Sequence, residues 1–438
     1  MLVAEKTSAA LSWPLVSFDK VAIAQSDRGQ RLKQRDYLAE GSIPVIDQGQ
    51  ALVGGYTDDE NASFVGDLPV ILFGDHTRAV KLIHHRFAVG ADGIKIFRPA
   101  EGVRAKYLYY WMKSARIPDR GYGRHYQYLR ALSVPLPPEE HQDEIVAEIE
   151  KQFSRLDEAV ANLQRVKANL KRYKASVLKD AVEGRLVPTE AELARRERRS
   201  FETGERLLQR ILEKRRSQWK GKGKFKEPVA LDAGVLRALP TGWTWATYAQ
   251  VGEVTTGFTP PTSDVGNFGG NIPFFKPSDL DVGENVTVAR EYLSAKGIAK
   301  GRLLKADSVL VTCIGATIGK SGRAAVDCAT NQQINAVSPS EGGAVPLFLY
   351  HWTASQTGQA QILDNSSATT LPILNKSKFE ALSVPLPPKA EQLRIVAEVD
   401  RRLSLVRGVD REIDANLKRA QALRASTLAT AFSDQRIA

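Results

Sequence analysis

The densest run of side chains suited to holding a ligand lies at residues 120–128. There Arg120, Tyr122, Gly123, Arg124, His125, Tyr126, Gln127 and Tyr128 interleave cationic forks, amides and aromatic rings. A guanidinium offers paired donors to the acceptor edge of guanine, a glutamine amide matches adenine, and a tyrosine ring stacks on an exposed base. At the matching place in the second half of the chain, Asp364, Asn365, Ser366, Ser367, Thr369 and Thr370 supply mostly uncharged hydrogen-bonding groups. The plainer reading of both stretches is a polar surface loop, and residue types alone leave the two readings open.

Catalytic constellations are absent from the pattern. The strand-like VLVTCI runs into Gly315, Ala316, Thr317, Ile318, Gly319, Lys320 and Ser321. This approaches a phosphate-binding loop but is one residue too short between the glycines to wrap its amides around a phosphate. The run Asn271, Ile272, Pro273, Phe274 partly matches the Asn-Pro-Pro-aromatic motif of amino-methyltransferases, with the wrong residue in second place. No glycine-rich strand-to-helix turn for a methyl-donor cofactor accompanies it. The six histidines, His76, His84, His85, His125, His141 and His351, show no metal-ligand spacing. The acidic run Asp58, Asp59, Glu60 reads as an exposed loop, and no nuclease core of the PD-(D/E)xK type is recognisable. Cys313 and Cys328, the only cysteines, are too few for a disulfide scaffold or a cysteine-rich zinc site and read as small core residues.

What must position the polar stretches is set by a duplication. The octapeptide ALSVPLPP occurs at 131–138 and again at 381–388. The register then holds without a gap. Gln142 matches Gln392, the run Ile145, Val146, Ala147, Glu148 matches Ile395, Val396, Ala397, Glu398, and Ala175, Ser176, Leu178, Ala181 match Ala425, Ser426, Leu428, Ala431. Two prolines end each octapeptide, so a helix is predicted to start at about 139 and at about 389. Apolar residues then recur at alternating spacings of three and four. The first stripe is Ile149, Phe153, Leu156, Val160, Leu163, Val166, Leu170, Tyr173 and Val177. The second is Ile395, Val399, Leu403, Val406, Val409, Ile413, Leu417, Ala420 and Leu423. This is a coiled-coil seam, and each helix, at 1.5 Å per residue, spans roughly 65 Å. Each needs a partner, and the other copy is the nearest. An antiparallel pair is preferred because residues 183–240 then bridge only a local gap. It gives a pseudo-twofold molecule with a globular part at each end of a rigid spacer.

The globular parts alternate short strand-like runs with turns: IPVIDQG, VILFGD and GIKIFRP in the first, VLVTCIG and QQINAVSP in the second. Each ends in a predicted helix, at about 104–117 with Leu108, Trp111 and Met112 on one face, and around 347–357. The expected fold class is therefore α/β: two mixed α/β domains separated by two long antiparallel coiled-coil helices. The expected boundaries are 1–138 and 241–388 for the globular domains, 139–185 and 389–438 for the spacer helices, and 186–240 for a charged helical linker. A length of 438 residues and 43% hydrophobic content accommodate this organisation. No stretch approaches the roughly 18 apolar residues of a membrane helix, and the first residues lack a basic start followed by an apolar run, so a cytoplasmic location is expected.

The net charge of +11 points toward a polyanion, unevenly. Residues 241–388 hold ten basic against eleven acidic side chains, whereas 205–226 hold nine Lys or Arg against two Glu. That basic stretch is read either as a solvated helix and flexible tether or as a contact to nucleic-acid phosphates.

These residues resemble the specificity subunits of type I restriction-modification systems, over nearly the whole chain. The resemblance rests on Pro387, Pro388, Glu391, Gln392, Ile395 and Val396 at the start of the second helix, with His141 standing in the first copy where Glu is expected. It rests also on GFTPP at 257–261, IPFFKPSDL at 272–280, GATIGK at 315–320, NQQI at 331–334, and Leu239, Pro240, Thr241, Gly242, Trp243. It implies two target-recognition domains that read the unlike halves of a split, asymmetric site on double-stranded DNA, in a subunit without catalysis of its own. It also implies no cofactor on this chain. A pair of methyltransferase (modification) subunits would methylate adenine N6 with S-adenosylmethionine, and restriction/translocase subunits would use ATP and Mg. Candidate DNA-binding residues are Arg78, Lys81, Arg120, Tyr122, Arg124, His125, Tyr126, Gln127, Lys276, Lys320, Asn365, Ser366, Ser367 and Thr369. For helix packing and the methyltransferase subunits they are Ile149, Phe153, Leu156, Val160, Leu163, Leu170, Ile395, Val399, Leu403, Ile413 and Leu417. The competing readings are a self-contained DNA methyltransferase or nuclease with its own recognition domains, and a coiled-coil adaptor that does not bind DNA.

Overall fold

The computed structural model describes residues 13–90, 93–121, 123–221, 223–231, 236–367 and 371–433. Chain contacts divide it into two units. One comprises the residues through Arg165 together with those from Glu412 onward, and the other Val166–Arg411. Both cuts fall inside long helices.

In the first unit, VILFG is apolar at five successive positions, which suits a strand covered on both faces. It forms the strand Val70–Gly74, and all five of its residues are buried. Among the described residues nine strands precede the long helix: β1 (Leu15–Ser17), β2 (Ala22–Gln25), β3 (Ile43–Ile46), β4 (Gly55–Thr57), β5 (Val70–Gly74), β6 (Val80–Ile83), β7 (Ala88–Val89), β8 (Ile94–Pro99) and β9 (Ser133–Pro135). They make a four-stranded sheet ordered β2-β8-β5-β6, a three-stranded sheet β4-β3-β7 and the pair β1-β9. Alternate residues of β5 point to opposite faces. Ile71 and Phe73 pack with Phe18, Phe97, Leu108 and Trp111, while Val70 and Leu72 pack with Ile83, Phe87 and Ile96. The helices here are α1 (Phe18–Val21), α2 (Ala105–Ser114), α3 (Tyr126–Arg130) and the start of α4 (Glu139–Val182).

The second unit adds α5 (Glu190–Glu197), α6 (Gly204–Ser217), α7 (Tyr248–Val251), α8 (Ala295–Lys300), α9 (Pro346–Ala354), α10 (Gln356–Asp364), α11 (Lys376–Ala381) and the start of α12 (Lys389–Ala431). Its strands are β10 (Thr244–Thr247), β11 (Gly252–Thr256), β12 (Phe268–Phe275), β13 (Glu291–Leu293), β14 (Val309–Thr312), β15 (Ser321–Arg323), β16 (Ala329–Thr330), β17 (Ile334–Pro339) and β18 (Ser383–Leu386). The sheet orders β11-β17-β14-β15, β13-β12-β16 and β10-β18 repeat those of the first unit strand for strand. In both three-stranded sheets one neighbour of the central strand is antiparallel and the other parallel. The duplication therefore extends from the octapeptide through the whole strand topology, although the strand sequences differ. Cys313 and Cys328 are buried in the second unit, where desolvation pushes both thiols up to about 12.

The long helices pack antiparallel, as expected. In the first unit Ile149 and Phe153 of α4 cluster with Leu428 and Ala431 of α12. In the second, Leu178 and Ala181 of α4 cluster with Val399 and Leu403 of α12. These are the same four positions, each displaced by the repeat. Ile395 and Val399 are fully buried, and each such side chain contributes about 1.5–3 kcal/mol. The Asp157–Arg424 ion pair across the seam is 66% and 42% exposed and adds under about 1 kcal/mol, so apolar burial dominates. The seam is less continuous than the sequence predicts. Ile413 is buried, but Leu156, Val160, Leu163, Leu170 and Leu417 are half-buried, and Val166, Tyr173, Val409 and Leu423 are exposed.

Each domain is fastened to its helix by one glutamine with no exposed surface. The Gln142 amide nitrogen donates to Gly102 O and Pro137 O, both at 2.9 Å, and its oxygen accepts from Arg104 N–H at the head of α2 at 2.8 Å. Gln392 repeats this on Pro387 O at 2.8 Å and on Val345 N–H, at the head of α9, at 2.7 Å. The neighbouring position diverges, for a visible reason. Glu391 accepts from Trp243 Nε1 and from Glu190 N–H, both at 2.8 Å, whereas His141 packs at a tilt against Trp13 with ring centroids 5.1 Å apart. A ring contact replaces the hydrogen bonds.

The expected charged linker is corrected. Leu207 and Ile211 of α6 are buried in the main core of the second unit. Most basic side chains of α6 are engaged: Arg210 with Glu202, Lys214 with Glu341, Arg216 with Glu227, and Arg215 on Ala249 O. The apolar pair at i, i+4 outweighs the surrounding charge and docks the helix.

Replacing Gln392 with Ala should cost about 1–3 kcal/mol, because the Val345 N–H is left buried without an acceptor. An unchanged denaturation midpoint would contradict the role given to this joint. Burial pushes the Glu391 carboxyl above its usual 4.5, against the hydrogen bonds it accepts. The unfolded chain therefore loses this proton first as pH rises, and wild-type stability falls between 4.5 and the raised folded value, staying low above it. Glu391→Gln removes that fall, so its stability relative to wild type should grow through the same window. Denaturation curves between about pH 4 and 7 test this, and a Gln variant that follows the wild-type curve would exclude it.

Candidate nucleic-acid interface

The strands of each main sheet run between two functionally different ends. In the first unit β8 starts beside Gly93 and ends next to the Gln142 joint. In the second, β17 starts after Gln333 and leads to the Gln392 joint. Six residues at about 3.3 Å each place the ends roughly 20 Å apart. At the end away from the joint, the turn between two antiparallel strands meets the segment that precedes the octapeptide.

In the first unit that turn is Asp75–Ala79, between β5 and β6. His125 N–H donates to the Asp75 carbonyl at 2.9 Å, which holds residues 123–126 against the turn. Arg78 sits at the turn with φ +59, in the left-handed region. Its guanidinium donates to Asp119 at 2.7 Å and to Ile117 O at 3.3 Å. A hydrogen bond from Gly121 N–H, with the Arg78 charge, holds the Asp119 carboxyl below its usual range. Arg120, Arg124 and Gln127 are exposed, and among the described residues no ion pair engages either arginine. Tyr126 is half-buried, packed on Phe97 at 5.6 Å with the Lys95 ammonium 5.4 Å from its ring centre. A cleft of about 380 Å³ beside the turn is lined by Gln50, Thr77, Arg78, Lys113 and Ile117.

Two of the sequence candidates are corrected. His125 has no exposed surface: its Nδ1 faces the Asp75 carbonyl at 2.9 Å and its Nε2 accepts from Arg120 N–H at 3.3 Å. Lys81 is 5% exposed, with Nζ donating to Asp47 O at 2.7 Å; burial lowers the pKa of its ammonium, against the pull of Asp47. Neither side chain reaches the surface, because a partner distant in sequence draws each inward. Tyr122 and Thr369 lie outside the described residues, as does Thr370.

In the second unit the equivalent turn, between β14 and β15, is GATIGK. Four of its amides are already used. Gly315 N–H donates to Pro372 O, Ile318 N–H to Gly315 O, Gly319 N–H to Thr312 O and Lys320 N–H to Thr317 O. No phosphate cradle remains, and the resemblance to a nucleotide loop reduces to a braced hairpin turn. Gly319, at φ +87, is held by Gln359, whose Nε2 donates to its carbonyl at 2.9 Å, and a Cβ there would meet Gln359 Oε1 at 2.5 Å. Lys320 turns away to Asp281 at 2.5 Å, and Lys276 is paired with Glu291. Asn365 is exposed, while Ser366 and Ser367 are half-buried; Ser367 Oγ accepts from Ile373 N–H at 3.1 Å. Residue-by-residue reading missed Thr317 and Gln332, which are exposed at this end, and the half-buried Thr259, which donates to Gln332 Oε1 at 2.5 Å. The signal for Thr259 and Gln332 lies in the GFTPP and NQQI motifs, and that for Thr317 in GATIGK. The two ends thus differ in chemistry: cationic and aromatic in the first unit, amide and hydroxyl in the second.

Comparison with known proteins converges on one assignment. Residues 240–408 match the domain family described as Type I restriction modification DNA specificity domain. The chain is 22% identical over 404 residues to the EcoR124I/EcoR124II type I restriction enzyme specificity subunit of Escherichia coli, covering 88% of this chain and 87% of that protein. It is 29% identical over 176 residues to the MjaIX specificity subunit of Methanocaldococcus jannaschii, covering 39% of this chain and 40% of that protein. A chain solved in work on complex assembly and conformational transition of the type I R-M system shares the fold. Its TM-score is 0.60 at 18% identity, over 96% of this chain and 97% of that one. The duplicated strand topology and antiparallel helices accord with these matches: residues 240–408 match the type I specificity domain, and the chain is similar over most of its length to a specificity subunit of a type I restriction enzyme.

Proposed function

We propose that this chain is a specificity subunit that reads a bipartite, asymmetric site on double-stranded DNA, one half with each globular domain. On this reading it also scaffolds the adenine-N6 methyltransferase subunits and the ATP-dependent restriction subunits. S-adenosylmethionine, ATP and Mg then belong to those partners. The observation that carries the reading is that two domains of identical strand order present unlike chemistry at equivalent ends. Arg78, Arg120 and Arg124 crowd one end, and Thr259, Thr317, Gln332 and Asn365 line the other. Guanidinium forks favour guanine edges and amides favour adenine edges, so unlike ends select unlike half-sites. The paired lysines, Lys276 and Lys320, are better placed to hold their own loops than to contact DNA. Asn365, Ser366 and Ser367 remain candidates for the second half-site and Gln127 for the first.

Co-expression with the cognate methyltransferase subunit, followed by genome-wide mapping of modified adenines, tests the reading. One bipartite asymmetric motif is expected, and a continuous or palindromic motif would overturn the two-domain assignment. Within that assay Arg124→Ala should relax one half-site only, by about 1–3 kcal/mol of discrimination. Equal weakening on every sequence, with a shallower salt dependence, would make Arg124 a phosphate contact instead.

A further inference from the structure

We propose that Asp75 is a positioning residue that sets the base preference of the first recognition domain, by locking the β5–β6 turn, Arg120 and residues 123–126 into a single reading element. The proposal rests on the DNA-reading function proposed above. Asp75 lies in a turn at the edge of the domain, where a carboxylate is ordinarily solvated, yet it is only 5% exposed. One of its oxygens, Oδ1, accepts two main-chain donors, His125 N–H at 2.9 Å and Tyr126 N–H at 2.7 Å. Its own N–H donates to Gly93 O at 2.6 Å, and its carbonyl oxygen also receives His125 N–H, at 2.9 Å. A buried carboxylate persists only with such compensation.

His125 extends the arrangement. Its Nδ1 lies 2.9 Å from the Asp75 carbonyl, which can only accept, so Nδ1 carries the proton and Nε2 is left with a lone pair. That lone pair accepts Arg120 N–H at 3.3 Å. A continuous run of hydrogen bonds therefore leads from Gly93 through Asp75 and His125 to the backbone of Arg120. Arg124 immediately precedes the two amides bound by the carboxylate. On the other side of Asp75, Thr77 Oγ1 donates to Gln48 O at 2.5 Å, and Arg78 is held at φ +59 with its guanidinium on Asp119. A non-glycine residue in the left-handed region stays there only when its surroundings over-determine it. The three arginines of this end thus take their positions from groups bonded to, or directly flanking, one carboxylate.

Among the described residues of the second domain, no buried carboxylate bonds the equivalent turn to the segment before the octapeptide. That turn is fastened by Gly315 N–H to Pro372 O at 3.0 Å and Leu374 N–H to Cys313 O at 2.8 Å, with the Gln359 amide on Gly319 O at 2.9 Å. Removing the Asp75 carboxylate therefore disturbs one half-site and leaves the other as an internal standard.

The experiment uses the full chain assembled with its methyltransferase subunits, and methylation rates on duplexes mutated separately in each half-site. Asp75→Ala should lose at least tenfold of its discrimination in the first half-site while discrimination in the second is unchanged, which also reports an intact fold and assembly. Asp75→Asn keeps the accepting Oδ1 and should retain the wild-type preference. The proposal is overturned if Asp75→Ala keeps its first-half preference, if both half-sites decline together, or if Asp75→Asn is as impaired as Asp75→Ala. A wild-type complex without any bipartite preference would instead overturn the DNA-reading function itself, and the two failures are distinguishable.

Discussion

The amide of one buried glutamine, used twice, is the constraint on which each half of this molecule depends. A helix that starts directly after two prolines has free amides at its head, and the domain helix beside it has an N–H that no local side chain satisfies. Gln142 and Gln392 resolve both demands because an amide donates and accepts at once: the nitrogen serves carbonyls of the Pro-Pro turn, and the oxygen serves the head of α2 or α9. A glutamate there would oppose carbonyl oxygens and bring a charge into a site with no exposed surface, and a leucine would leave three polar groups unpaired at position 142 and two at 392. The spacing of glutamine four residues after the last proline is therefore a geometric requirement. It explains why this part of the repeat is maintained while the strands around it have drifted.

That drift follows which interactions contribute most. At the helix seam the apolar positions persist between copies, Ile149 as Val399, Phe153 as Leu403, Leu428 as Leu178 and Ala431 as Ala181. The polar positions beside them do not. Asp157 pairs with Arg424 in one unit, while the corresponding Arg407 and Lys174 are both basic, and Arg407 turns instead to Glu284 and Asp400, each at 2.7 Å. An exposed ion pair contributes little and is lost cheaply. A fully buried aliphatic side chain is not.

The same contrast governs how much could be read from the amino acids alone. The helix starts, the antiparallel pairing and the mixed α/β class were legible, because Pro-Pro and a seven-residue apolar rhythm act over short range. The strand-for-strand equivalence of the domains was not, since strands of two to eight residues carry little pattern and the facing cores were rebuilt residue by residue. His125 looked like a base reader among arginines and tyrosines; what buries it is Asp75, fifty positions earlier. Lys81 was likewise drawn inward by Asp47, and α6 was masked by its charge although Leu207 and Ile211 already had helical spacing. GATIGK is too short for a phosphate loop because its glycines serve a hairpin turn, and only the sheet order aligns it with residues 75–79, with which it shares no motif.

The distribution of conserved geometry and free chemistry within each domain accounts for how one scaffold can carry two specificities. The joint and the candidate reading edge sit at opposite ends of the same strands, about 20 Å apart, with a fully buried strand such as β5 or β14 between them. A close-packed core transmits little of a surface substitution over that distance when no buried volume changes. Edge residues such as Arg124 or Gln332 are thus open to replacement without loosening the glutamine joint. The turns themselves are less open. Asp75 in one domain and Gln359 in the other are the groups that hold them, and each makes polar contacts that an apolar or shorter side chain could not make. Specificity in such a scaffold should therefore change most readily at exposed tips, and only with wholesale loop exchange at the braces beneath them.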